Sequence, residues 1–173
     1  MKNIVNVFDY AGHICKAMSP GVLLTAKVGD KVNPMTIGWG SIGVEWGKPI
    51  FTAYVRPSRY THEMIEATGE FTVNVPMGNV KSILGFCGTK SGREVDKVAE
   101  LGLTLEEPMN ISVPGIRELP LTLECKVIYK QDQDPKKKKK SCDARYYAKG
   151  TANEGDYHTA YYGQIVSAYI IEE

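Results

Sequence analysis

The chain has 173 residues, 43% hydrophobic and 24% charged, with a formal net charge of +1. That length and apolar content predict one soluble domain over residues 1–173 with a real core, and so even a charge balance argues against a dedicated nucleic-acid binder. Asp9, Gly12 and His13 interrupt the mildly apolar start before a secretory segment can form, and no apolar run reaches membrane-spanning length.

Residues 1–20 carry a broken apolar pattern that ends at Ser19-Pro20-Gly21. Gly21 to Val28 reads as a strand, followed by a tight turn at Gly29-Asp30. The stretch from Val32 to Ser41 mixes strand formers with Pro34, Gly38 and Gly40. Glycine inside a strand marks a bulge, a barrel corner, or a place where a flat ligand approaches the backbone. Pro49 to Val55 is the next strand, and a helix is expected from Tyr60 to Thr68. Phe71, Val73 and Val75 alternate in a strand that Pro76 stops. Short helices follow over Val80–Cys87, with Asn79 as cap, and over Glu94–Leu101, closed by Gly102. After an irregular stretch with Pro108 and Pro114, Leu121 to Tyr129 gives the strongest period-2 signal in the chain. Cys125 falls inside it as a small core residue. Lys136 to Lys140 is a run of five lysines whose mutual repulsion predicts an exposed loop, with a polyanion-binding role as the alternative. Arg145 to Ala148 reads as a short strand, and Gln164 to Ile171 as the last one.

Six or seven strands with short inserted helices, and no regular β-α alternation, exclude a doubly wound fold. They predict a mainly β protein, a closed antiparallel barrel. No phosphate-loop, dinucleotide or hydrolase motif is present. Cys15, Cys87, Cys125 and Cys142 are irregularly spaced, form no Cys-x-x-Cys pair and do not combine with His13, His62 or His158 at zinc spacing. They are read as reduced thiols of a cytoplasmic protein, with no metal site.

The stretch with the most chemistry is Arg56-Pro57-Ser58-Arg59-Tyr60-Thr61. Pro57 ends a strand because it has no N–H for a ladder, and Ser58 is a good helix N-cap. A helix start presents unpaired N–H groups and the positive end of its dipole. Two guanidiniums and two hydroxyls added there suit a phosphate monoester, since charge-assisted hydrogen bonds contribute roughly 1.5–3 kcal/mol each. An ordinary strand-to-helix connection with solvated arginines is the other reading.

Three segments in this order resemble the flavin reductase-like family of FMN-binding split β-barrels: Asn33-Pro34-Met35-Thr36-Ile37-Gly38-Trp39, the 56–61 turn, and Gly69-Glu70-Phe71-Thr72-Val73-Asn74-Val75-Pro76. Asp156-Tyr157-His158 and Tyr162-Gly163-Gln164-Ile165-Val166 are similar to its flavoredoxin-like branch. The resemblance covers nearly the whole chain and implies a homodimeric Greek-key barrel with FMN in a groove near the subunit interface. Carried over by motif, Asn33, Met35, Thr36 and Trp39 would line the isoalloxazine ring, and Val55 would offer backbone groups beside the ribityl chain or the ring edge. Arg56, Ser58 and Thr61 would take the phosphate, with Lys90 reaching the same end. The lysine run is not part of the family pattern.

The resemblance therefore implies an oxidoreductase that uses NAD(P)H to reduce flavin or another acceptor through FMN. A flavoredoxin-like electron carrier, reduced by a partner protein without a nicotinamide site, is the second reading. A non-redox polyanion-binding barrel is the third. No catalytic acid or base is required. His158 is the protonatable group nearest a substrate face, or a structural hydrogen-bonder in a tyrosine-rich turn. Trp39 either stacks near the flavin or fills the core.

Overall fold

A computed structural model describes residues 1–172. Its strands are β1 (Lys2–Ile4), β2 (Val22–Val28), β3 (Lys31–Ile37), β4 (Gly40–Glu45), β5 (Lys48–Val55), β6 (Glu70–Val75), β7 (Leu105–Glu106), β8 (Gly115–Ile116), β9 (Leu121–Asp132) and β10 (Thr159–Ile171). The helices are α1 (Ala11–Ala17), α2 (Tyr60–Thr68), α3 (Lys81–Thr89), α4 (Lys97–Leu101) and α5 (Lys140–Tyr146).

The main sheet is antiparallel at every pairing and runs β3-β2-β6-β9-β10-β5-β4, with β1 added to β10. Its two end strands, β3 and β4, are joined by Gly38 and Trp39 alone. Two linking residues reach only about 10 Å, so the sheet has to curl until its edges face each other. This is a split β-barrel, and the split lies at Gly38-Trp39. Pro34 is tolerated inside β3 because the strand is an edge: Pro34 pairs with Thr25 on one side and leaves the other free.

Phe51, Phe71, Val73, Leu24, Leu123 and Tyr161 fill the barrel, and Met64 and Ile65 of α2 plug one end. Gly163 has a packing role, since a Cβ there would stand 2.5 Å from the Phe71 ring and 2.8 Å from Cys125. Gly40 likewise makes room for Phe51, whose Cζ would be 2.6 Å from a Cβ. Core packing, rather than a flat ligand, accounts for glycine at that strand position.

β2 does not alternate because it is covered on both faces. Leu24 points into the barrel, while Leu23 joins Leu84, Cys87, Leu103, Ile116 and Leu119 in a second apolar cluster beneath α3. Buried polar groups on the outer face are paired: Thr25 Oγ1 donates to Asn74 Oδ1 (2.8 Å), Asn74 Nδ2 to Thr122 Oγ1 (3.3 Å) and Thr72 Oγ1 to the Pro114 carbonyl (3.0 Å). Cys125 is a core residue as expected.

Several local expectations are corrected. The broken N-terminal pattern forms β1, a 3-10 turn over Val7–Tyr10 and α1. Residues 40–45 form a regular strand, closed by a turn in which Trp46 (φ 51°) and Gly47 (φ 68°) are both left-handed. The fourth helix is confined to Lys97–Leu101, because Asp96 caps it by accepting from the N–H groups of Val98 and Ala99. Residues 145–146 are helical rather than extended: α5 takes them up, and the lysine run is a 3-10 turn leading into it.

Candidate functional site

β3 presents Asn33, Met35 and Ile37 toward the barrel and Thr36 toward α3, so its free edge is flanked by side chains of both faces. Along that edge lie two adjoining cavities of about 170 and 210 Å³ that share Met35, Thr36 and Arg59. Together they form one groove. Its far wall is the β5–α2 turn.

One end of the groove is polar. Thr61, the second residue of α2, is buried, and its Oγ1 accepts from Asn33 Nδ2 at 2.9 Å. Ser58, Arg59, Lys90, Ser91, Gly92 and Lys97 complete this end. Among the described residues, no side-chain hydrogen bond or ion pair engages Arg59 or Lys90. Lys97 is only 3% exposed; its Nζ donates to the carbonyls of Pro34 (2.9 Å) and Cys87 (3.0 Å), which leaves a third N–H. Burial lowers its pKa and the nearby Arg59 guanidinium adds to the effect, although the Cys87 thiol opposes it. Burial pushes that thiol up to about 11. Gly92 allows the 88–92 loop to close onto β3, because a Cβ there would overlap Asn33 Oδ1.

The other end is richer in aromatic side chains, walled by Met35, Ile37, Gly38, Trp39, Tyr54, Val55 and His158, with Arg56 and Arg59 at its margin. Trp39 is 38% exposed, and its ring centroid lies 4.8 Å from both Tyr146 and His158. His158 is buried, with Nδ1 2.5 Å from the Tyr147 hydroxyl. Burial, reinforced by the Arg56 guanidinium, lowers its pKa to about 4, so the ring is neutral near neutral pH.

All nine residues expected at a cofactor from the sequence line this groove: Asn33, Met35, Thr36, Ser58, Thr61 and Lys90 at the polar end, and Trp39, Val55 and Arg56 at the aromatic one. Their hydrogen bonds differ from the expectation at three positions. Arg56 donates from Nη1 to the Asp156 carbonyl (2.9 Å) and from Nη2 to the Tyr146 carbonyl (3.1 Å), and lies over the Tyr147 ring. Ser58 donates from its N–H (3.2 Å) and hydroxyl (2.5 Å) to the Asp156 carboxylate, so an internal anion already occupies that part of the turn. Thr36 Oγ1 donates to the Leu84 carbonyl (2.7 Å) and ties α3 down. The helix cap is Arg59, without a side-chain cap bond, rather than Ser58.

Sequence reasoning gave no site role to Ser91, Gly92 and Lys97, and counted Arg59 with Arg56 as a guanidinium suited to a phosphate without carrying it over by motif as a cofactor residue. Arg59 was legible from its place beside the helix start. Nothing local marks Lys97, whose site is made by β3 and α3 closing over it.

The fit to an amphiphilic cofactor follows from this donor set. Unpaired cations, a buried hydroxyl and a glycine-lined loop suit a phosphate, and the Met35–Trp39–Val55 end suits a planar ring.

A model of the family described as flavin reductase like domain matches residues 16–173. The structure is similar to flavoredoxin from Methanosarcina acetivorans, with 29% identity and a TM-score of 0.68 over 89% of this chain and 69% of that one. An uncharacterised protein of Archaeoglobus fulgidus is 35% identical over 57% of this chain and 55% of its own length. A protein of Moorella thermoacetica named high molecular weight rubredoxin is 33% identical over 49% of this chain and 37% of its own. The chain thus spans about half, or less, of these curated relatives.

Proposed function

The chain belongs to the flavin reductase-like domain family, in its flavoredoxin-like branch, and from that premise we propose that it binds FMN in the groove along β3 and acts as an oxidoreductase through it. The observation that carries this reading is the division of one continuous groove into an unneutralised cationic end and an aromatic end. Arg59, Lys90, Lys97 and Thr61 hold the phosphate; Met35, Trp39 and Val55 receive the ring and keep water from it. When bound, FMN supplies the redox chemistry, taking and releasing electrons singly or in pairs. Asn33 keeps the Thr61 hydroxyl oriented by donating to it, which leaves the hydroxyl proton for a phosphate oxygen. His158, neutral and bonded to Tyr147, positions the 146–158 segment against Trp39 rather than supplying a proton.

NAD(P)H is the proposed reductant. A second reading, reduction by a partner protein, is favoured by the relatives named flavoredoxin and high molecular weight rubredoxin. A homodimer belongs to the same proposal. Val44 and Trp46 at the β4–β5 hairpin are exposed, and Trp46 packs edge-on to the exposed Tyr129 at 5.9 Å, an apolar patch that a second copy would cover.

The test is an anaerobic titration of FMN-loaded protein with NADH and with NADPH. Bleaching of the flavin band by either supports the first reading. Bleaching by dithionite or a reduced carrier alone supports the second, and failure to take up FMN sinks both.

A further inference from the structure

The lysine run is the sequence feature the FMN groove leaves unused, and the structure does not leave it as a free tail. Lys138 is folded inward: its Nζ lies 2.8 Å from Asp143 Oδ1 and 4.1 Å from the centre of the Tyr157 ring. The segment that carries it is fastened to the barrel by the bonds from Arg56 and Ser58 to Tyr146 and Asp156. With Lys138 pinned, Lys136, Lys137, Lys139 and Lys140 are left exposed around it. Lys137 has only a 4.0 Å approach to Asp134, with its side chain 83% exposed, a pairing too solvated to neutralise it.

Lys137 and Lys138 line a cavity of about 330 Å³ whose other walls include Trp39, Tyr146, Tyr147 and Asp134, and Lys136, Lys139 and Lys140 are their neighbours in the chain. Trp39 is shared: it also walls the aromatic end of the FMN groove. A lysine-rich segment therefore borders an aromatic cavity that adjoins that groove through Trp39.

We propose that this face docks an acidic one-electron carrier protein and that electrons pass between carrier and groove beside Trp39. The inference rests on the FMN reading above. Charge decides the occupant. The whole chain carries only +1, so the surface outside this patch is on balance acidic and would repel a long polyanion that ran past the patch. A compact acidic protein needs only the patch. Complementary charge of this kind raises association rates by about 10- to 1,000-fold and loses that advantage as salt rises. Two successive encounters oxidise two reduced carriers by one electron each; with two protons from solvent, these electrons complete the two-electron reduction of one FMN.

The experiment uses FMN-loaded full-length protein and, as probe, a rubredoxin of net negative charge. Binding of the oxidised rubredoxin is measured by calorimetry at low and high salt, and flavin reduction by the reduced form is followed anaerobically by stopped flow. The quadruple variant K136Q/K137Q/K139Q/K140Q is expected to bind at least 10-fold more weakly at low salt, to be reduced at least 10-fold more slowly, and to lose most of the salt dependence. Its FMN affinity and dithionite bleaching should match the wild type, which shows that it is folded. Equal affinity and rate for variant and wild type would overturn the docking proposal. So would a wild type whose four lysines govern binding of a single-stranded oligonucleotide or of anionic vesicles but not of rubredoxin. Protein that takes up no FMN would refute the FMN reading instead, while the calorimetry still reports on the docking surface.

Discussion

Arg56 and Arg59 are three residues apart in one turn, yet the molecule treats their charges in opposite ways. Arg56 is half-buried and directs two of its five N–H donors to carbonyls of the 146–156 segment, while nearby Ser58 is engaged by Asp156. Arg59 is exposed and unpaired among the described residues, facing Lys90, Ser91 and Thr61 across the groove. The first corner is a clasp that holds a surface segment in place. The second is an open electrostatic site. A donor is most readily available to a ligand where the chain has not already supplied an acceptor for it.

The largest effect that would break this contrast is expected at the open corner. Arg59→Ala, losing a charge-assisted pair of roughly 1.5–3 kcal/mol, should weaken FMN binding about 10- to 150-fold and leave riboflavin, which lacks the phosphate, nearly unchanged. Fluorescence titration with both ligands checks it, and equal losses would move the phosphate elsewhere. Gly92→Ala comes next. The methyl overlaps Asn33 Oδ1, and forced repacking of about 1–3 kcal/mol should show in thermal melts together with weaker FMN binding.

Arg56→Ala sharpens the contrast from the other side. It should lower FMN and riboflavin affinity alike, by less than about 10-fold, and raise proteolysis within residues 146–156. A loss specific to FMN would make Arg56 a phosphate ligand after all. The smallest effect concerns His158, whose folded pKa is about 4 against an ordinary 6.5. The unfolded chain takes up this proton first as pH falls, so the stability the neutral ring contributes is complete above pH 6.5 and is lost on the way down to about pH 4. Denaturant melts across that window should show a shallower pH slope in His158→Gln than in the wild type. Identical slopes would mean that the proton is taken up elsewhere.

The main strands and α2 were legible because their signals are local. Phe71, Val73 and Val75 alternate, Pro57 and Gly69 bracket a helical stretch, and Leu121 to Cys125 keep period two. β4 was hidden because Gly40 and Gly43 have poor strand propensity, and because the reason for Gly40, the ring of Phe51, lies on the next strand. α5 was misread because Lys138 helps to hold that segment through Asp143 and Tyr157, contacts that no local pattern announces.

By itself the sequence determined the antiparallel strand-rich class, the family and nine residues that line the groove, since strand periodicity, turn chemistry and motif order are properties of neighbours along the chain. Tertiary structure alone decided which of those side chains keep free donors. Asp156 reaches Ser58 across 98 residues, the Pro34 and Cys87 carbonyls meet over Lys97, and the barrel split sets Trp39 between the groove and the lysine face. A hydrogen bond consumes a donor wherever the partner comes from, and partners brought by folding leave no mark on the local sequence.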